Sequence, residues 1–247
     1  WLRPAAREAR LRKSDAPRLL AMAAMGAALG PVALAWGLQR TSGASASLML
    51  TLEALFTALL AWRWYGEEMD RKVLAAMVLL TAGGAVLVLE QGLASGVQAL
   101  GLLAILLATV AWGVDNALSR GVADRDPAQV VIAKAVLGTA ATATLTWASS
   151  ERWPAAQQFV ALLAVGATGY GLSLRCYLLA QRTFGAARTG SVFAFAPFIG
   201  ALAAFAMGDR SVSWLALGGG ALMVWGVVLH LSEAHEHEHE HPAIEHE

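Results

Sequence analysis

Eight apolar runs dominate the chain, and each has about the 20-residue length that an α-helix needs to cross a hydrocarbon core roughly 30 Å thick. They are approximately Leu19 to Leu38, Gly43 to Trp62, Val73 to Leu89, Leu100 to Leu118, Ala128 to Ser149, Ala156 to Ala180, Thr189 to Met207 and Val212 to Leu231. Inside lipid the backbone must satisfy its own hydrogen bonds, which only helices and closed barrels achieve. Barrel strands would alternate apolar and polar residues over about ten positions, and these runs do not. With 57% hydrophobic and 15% charged residues, and a mean hydropathy of +0.54, the chain carries more apolar surface than a soluble domain can bury. The fold class is an all-α polytopic membrane protein, with the lipid bilayer as its first partner.

The formal net charge of zero conceals an uneven distribution. If the segment before the first span is cytoplasmic, the loops on that side hold Arg3, Arg7, Arg10, Arg12, Lys13, Arg18, Arg63, Arg71, Lys72, Arg120, Arg125, Arg182 and Arg188. The opposite loops hold Arg40, Arg152 and Arg210. Basic loops stay in the cytoplasm, so this asymmetry predicts a multi-pass protein of the inner (plasma) membrane with a cytoplasmic C-terminus. The single cysteine, Cys176, lies within a span and excludes an internal disulfide.

An internal repeat organises the spans. Gln39-Arg40-Thr41-Ser42-Gly43-Ala44 returns as Gln181-Arg182-Thr183-Phe184-Gly185-Ala186, an offset of 142 residues at which Phe56/Phe198, Gly66/Gly208 and Gly84/Gly226 also match. Three spans precede Glu90 and five follow it, and the chain opens on Trp1 in a basic, loop-like segment. These features predict a first unit that has lost two helices. The chain divides into 1–92, a basic loop with three helices of that first unit; 97–232, a complete second unit; and a tail, 233–247.

The stretch Leu52-Glu53-Ala54-Leu55-Phe56-Thr57-Ala58-Leu59-Leu60-Ala61, with Gly66-Glu67 and a Gly-rich final helix, resembles the EamA-type repeat of the drug/metabolite transporter superfamily. In the second unit Ala111-Trp112-Gly113-Val114-Asp115-Asn116, Gly169-Tyr170-Gly171-Leu172-Ser173-Leu174, Gly185-Ala186-Ala187-Arg188-Thr189-Gly190 and Ala196-Pro197-Phe198-Ile199-Gly200-Ala201 carry the same resemblance, within a branch bearing a His-rich tail. The resemblance implies ten helices as two inverted five-helix repeats, eight of them visible here, around a central solute site reached by alternating access. One departure is Ala54, where the family often has the proline of Ala196-Pro197, so the usual cause of a kink is missing there.

Small residues predict where helices touch, because lipid-embedded helices associate through close backbone approach. Gly26 and Gly30 form a GxxxG pair, and Gly83-Gly84, Gly218-Gly219-Gly220 and Gly226 smooth the last helix of each unit. Trp62, Trp64, Tyr65, Trp147, Trp153 and Trp214 fall at span ends, as interfacial anchors do.

An ionisable residue inside a span costs about 2.5 to 3.5 kcal/mol at the bilayer centre, so such residues mark candidate sites. Glu53 is the first, roughly 15 Å from either surface at 1.5 Å per helical residue. Its carboxyl group could couple proton uptake to solute release, or could simply tie two helices together. Asp115, Lys134 and Arg175 fall roughly four to six residues from the cytoplasmic ends of their spans. An Asp115 to Lys134 ion pair would leave Arg175, Asn116 and Tyr170 as solute contacts and favour a carboxylate-bearing solute. The alternative is that Lys134 and Arg175 snorkel to the headgroups.

The tail alternates His235, His237, His239 and His241 with glutamates and adds His246. Such a composition predicts disorder and an affinity for Zn²⁺, Ni²⁺ or Cu²⁺. Its HExxH spelling arises automatically from a His-Glu alternation and indicates no protease. The chain has no GxxxxGK[ST] phosphate loop, no Ser/His or paired-Asp constellation at matching depth, no cofactor motif and no nucleic-acid signature. The reading is therefore a secondary transporter, an exporter of small metabolites, and not an enzyme. The alternatives are a metal-handling or metal-regulated membrane transporter that uses the tail, and a non-transport membrane scaffold.

Overall fold

The computed structural model describes residues 9–66, 69, 71–94, 96–150, 153–209 and 213–232. Every element among them is helical. The helices are α1 (Lys13–Leu38), α2 (Gly43–Tyr65), α3 (Arg71–Ala94), α4 (Gly96–Arg120), α5 (Pro127–Ala148), α6 (Ala156–Ala186), α7 (Ala196–Ala206) and α8 (Trp214–Ser232). All but α7 are long and apolar enough to cross a membrane. The His-rich tail lies outside the described residues.

The expected span from Thr189 to Met207 is not one continuous helix. Gly185 takes φ 79°, ψ 176°, a conformation that a side chain disfavours, and breaks the helical path at the end of α6. The chain then runs helically to Phe193, turns at Ala194 and Phe195, and restarts with Pro197 in the first turn of α7. Proline suits a helix start, where its missing N–H forfeits no bond. The first repeat has an equivalent break without proline. α2 consists of Gly43–Leu50 and Leu52–Tyr65, joined at Thr51, and the Ala54 N–H reaches only back to the Thr51 carbonyl, at 3.3 Å. The buried Thr51 hydroxyl has no hydrogen-bond partner.

Equivalent helices of the two units run antiparallel. A β-carbon built on Gly83 of α3 would lie 2.6 Å from the Gly219 carbonyl oxygen of α8, and one on Gly226 would lie 3.0 Å from the Ala76 carbonyl oxygen. The two backbones are in contact, as the glycine pattern predicts. Along α2 the same holds against residues 186–206: Gly200 faces Ser47, Gly190 faces Thr57, and Gly43 faces Ala204. This crossing is centred where Leu52 and Glu53 oppose Ala194 and Phe195. At the repeat offset Glu53 corresponds to Phe195, so counterpart meets counterpart about a two-fold axis, as an inverted repeat requires.

Apolar side chains of α2, α3, α4 and α8, including Met49, Leu52, Leu80, Leu102, Ile105 and Met223, form the main core. A smaller cluster of Leu19, Met22, Val122, Val130 and Leu178 joins α1 to the α4–α5 link and to the second half of α6. The first turns of α6, Ala156–Val165, have no buried residue. Trp62, Trp64, Trp147, Trp153 and Trp214 are all exposed at helix ends, where indoles anchor. Tyr65 differs, since its hydroxyl donates to the Ala117 carbonyl at 2.7 Å and ties α2 to α4.

Candidate solute site at the crossing of the repeats

Glu53 stands midway along α2, two residues beyond the Thr51 break. Its side chain lines a crevice of about 240 Å³, open mouth included, together with Leu50, Ala54, Thr57, Asn116, Gly190, Phe193, Ala194 and Pro197. Both broken helices contribute walls, and α4 contributes Asn116. The Asn116 Nδ2 donates to Glu53 Oε1 at 2.6 Å. The Thr57 hydroxyl donates back to the Glu53 carbonyl at 2.9 Å, so its own hydrogen-bonding need is met within α2.

Lys134 of α5 donates to Asp115 of α4, the ion pair expected from their similar depth, and both are buried. Neighbouring residues on a helix point about 100° apart, so Asp115 turns toward α1 and α5 while Asn116 turns toward α2. Gly26 of α1 is pressed against the Asp115 carboxylate, leaving no room for a side chain. The same turn of α1 is a π-helical segment, Ala23–Leu29, and the Gly26 carbonyl accepts from the Trp112 indole at 3.0 Å. Gly30 sits against the Trp112 ring. The GxxxG pair thus seats α1 on α4 directly over the ion pair. One Asp115 oxygen, Oδ1, is buried without a hydrogen-bond partner.

The expected grouping of Asn116 with Arg175 is not what the structure brings together, because Asn116 belongs with Glu53. Arg175 is half-buried on α6 and is not among the crevice residues. Tyr170, 46% exposed, lies in the π-helical segment Gly166–Leu172 of α6. The Tyr170 and Tyr177 hydroxyls lie within electrostatic range of Glu53. Among the described residues no three His, Cys, Asp or Glu side chains cluster as metal ligands.

The EamA-like transporter family matches residues 3–89 and 99–232, one stretch for each unit. The chain belongs to this family. A curated relative from Methanothermobacter thermautotrophicus, described as an uncharacterized transporter, is 26% identical over 228 residues. That match covers 90% of this chain and 66% of the relative, so the chain spans just under two thirds of the relative's length. A solved protein crystal structure is 23% identical, with a TM-score of 0.57 over 88% of each chain, a likeness of fold alone.

Two residues of this EamA-like chain near the crevice escape sequence reasoning. Tyr177 is buried on α6, its ring edge-on to Phe193 with centroids 5.6 Å apart, and its hydroxyl lies beside Gln181 without forming a hydrogen bond. Gln181 donates to the Asn116 carbonyl at 3.1 Å and braces the residue that holds Glu53. The signal for Gln181 was its place in the repeated Gln-Arg-Thr. The adjacent Arg182 donates to the Ala123 and Arg125 carbonyls at 3.0 and 2.9 Å, so it fastens the α4–α5 loop. Arg125 in turn pairs with Asp15 at 2.9 Å, which closes the Lys/Arg-rich end of the bundle around the start of α1.

Proposed function

We propose that this chain is a secondary active transporter that exports small metabolites by alternating access, with Glu53 and Asn116 as its central solute or ion contacts. The supporting observation is the Glu53–Asn116 hydrogen bond within a crevice at the crossing of the two units' broken helices. Discontinuous helices at a repeat interface free backbone groups and create polar space where lipid would otherwise forbid it. The Asp115–Lys134 pair neutralises itself and stiffens α4, the helix that carries Asn116. Tyr170 and Arg175 stand outside the crevice lining and receive no solute-contacting role.

In this reading the Lys/Arg-rich end faces the cytoplasm of a cell bounded by the plasma (inner) membrane. Breaking the Asp15–Arg125 and Arg182 contacts would open that end, while parting Asp209 Oδ2 from the Ala44 N–H, 3.0 Å apart, would open the other.

The test profiles metabolites and metals by mass spectrometry inside and outside cells that express the full-length protein, its Glu53→Gln form or its tail-deleted form. The expected outcome is an organic solute that leaves cells with the parent and the tail-deleted form but not with Glu53→Gln. A change confined to metals, present only with the tail, would replace this reading by the metal-handling one. No difference between parent and Glu53→Gln would leave a scaffold.

A further inference from the structure

At the Lys/Arg-rich end a short strap precedes α1 and is bonded to the rest of the bundle. Residues 9–12 lie beside the α4–α5 link, where Ala9 and Arg125 form an isolated parallel β-bridge. The Asp126 N–H donates to the Ala9 carbonyl at 2.8 Å, and the Leu11 N–H donates to Gln129 Oε1 at 3.0 Å. The Leu11 side chain packs against the cluster of Leu19, Met22, Val122, Val130 and Leu178. Arg12 is extended, at φ −109°, ψ 158°, and its N–H donates to Asp15 Oδ2 at 2.8 Å. Ala9 and Leu11 thus fasten the strap to the bundle, while Arg10, Arg12 and Lys13 are exposed.

The neighbouring carboxylates are largely committed. Asp15 accepts from Arg125 through both oxygens, at 2.9 and 3.2 Å, and Asp126 accepts from the Ala128 N–H at the start of α5, at 2.9 Å. Asp124 is the exposed acid of the α4–α5 link. Bare apolar surface begins within about two helical turns of the strap, since Leu20 of α1 is 56% exposed and Ile132 of α5 is 42% exposed. A fixed group of cations above lipid-facing side chains matches an amphiphile with an anionic head. The strap is already ordered by its own bonds, so binding there costs little further backbone entropy.

We infer that the strap is a docking site for an anionic phospholipid, whose phosphate pairs with Arg10, Arg12 and Lys13 and whose acyl chains lie against the apolar surface that starts at Leu20 and Ile132. The site is separate from the crevice and does not depend on what the crevice carries. It also gives the positive charge of this end a particular place. Arg63 and Arg71 are exposed too, on α2 and α3, and stand on no such strap. Because Asp15 and Arg125 tie the start of α1 to the α4–α5 link, a docked headgroup stabilises that closure.

Thermal unfolding of the purified full chain in detergent, titrated with dioctanoyl phosphatidylglycerol, dioctanoyl phosphatidylcholine or inorganic phosphate, tests it. We expect phosphatidylglycerol to raise the unfolding temperature at a midpoint concentration about tenfold below that of phosphatidylcholine, and inorganic phosphate to leave it unchanged. Arg12→Gln with Lys13→Gln should raise the phosphatidylglycerol midpoint about tenfold and spare the phosphatidylcholine one. The charge-matched pair Arg63→Gln with Arg71→Gln should alter neither. If the strap variant is not monodisperse, Arg10→Gln decides, with an expected rise of about threefold. Equal midpoints for the two lipids, equal losses in the two double variants, or no loss from the strap substitutions would each overturn the inference. A shift reproduced by inorganic phosphate would overturn it as well, because the bound species would then be a free anion and not a lipid.

Discussion

Where α3 crosses α8 the two repeats meet backbone to backbone, whereas where α2 crosses residues 186–206 they meet across a crevice that holds a carboxyl group. Both contacts join equivalent helices about the same two-fold relation, so topology cannot explain the difference. Local sequence does. Glycines at Gly83, Gly219 and Gly226 allow continuous helices to close on each other, and the gain is dispersion along their whole length. At the other crossing both helices are interrupted, at Thr51 and at Ala194–Phe195, and polar groups occupy the gap. One crossing has the closed, keel-like contact of two continuous helices, and the other has interrupted backbone on both sides.

The largest expected effect comes from unbalancing the ion pair beside the crevice. Lys134→Met strands a buried Asp115 carboxylate and should cost about 3 to 5 kcal/mol, read as a fall in unfolding temperature in detergent. The double variant Asp115→Leu with Lys134→Met should recover most of that loss, which would show that the pair supports the site without being its charge. Next comes a direct contrast of glycines. Gly83→Val forces a side chain onto the Gly219 carbonyl and should destabilise by about 1 to 3 kcal/mol. Gly190→Ala places its methyl 3.5 Å from Thr57, an ordinary contact, and should change stability by less than about 0.5 kcal/mol. Equal losses at the two positions would erase the distinction between keel and crevice. The smallest effect belongs to Tyr65→Phe, which removes the bond to the Ala117 carbonyl and should cost about 0.5 to 1.5 kcal/mol in the same assay.

Much of this architecture is legible in the residues because lipid simplifies the problem. Length and hydropathy locate seven of the eight apolar helices to within a few residues, and the glycine pattern identifies the α3/α8 contact. The eighth region, 186–206, is harder, since its hydropathy is continuous while its backbone is not. Gly185 and Pro197 were visible there, but a glycine and a proline in a membrane helix often pass without a break. The depth of Glu53 follows from counting, and the Asp115–Lys134 pair from matching depths. The partner of Asn116 does not follow, because adjacent residues on α4 diverge in direction and sequence does not fix the rotation of a helix about its axis. Gln181 and Tyr177 are hidden for the same reason: they stand on α6, and their relevance comes only from the packing of that helix against α2 and α4.

The duplication also leaves its two halves chemically unlike at the centre, with Glu53 in one and Phe195 at the corresponding place in the other. Two facing carboxyl groups would have shared a proton and bound charge in two steps. A single carboxyl titrates in one step, so the charge at this crossing can change by one unit at most.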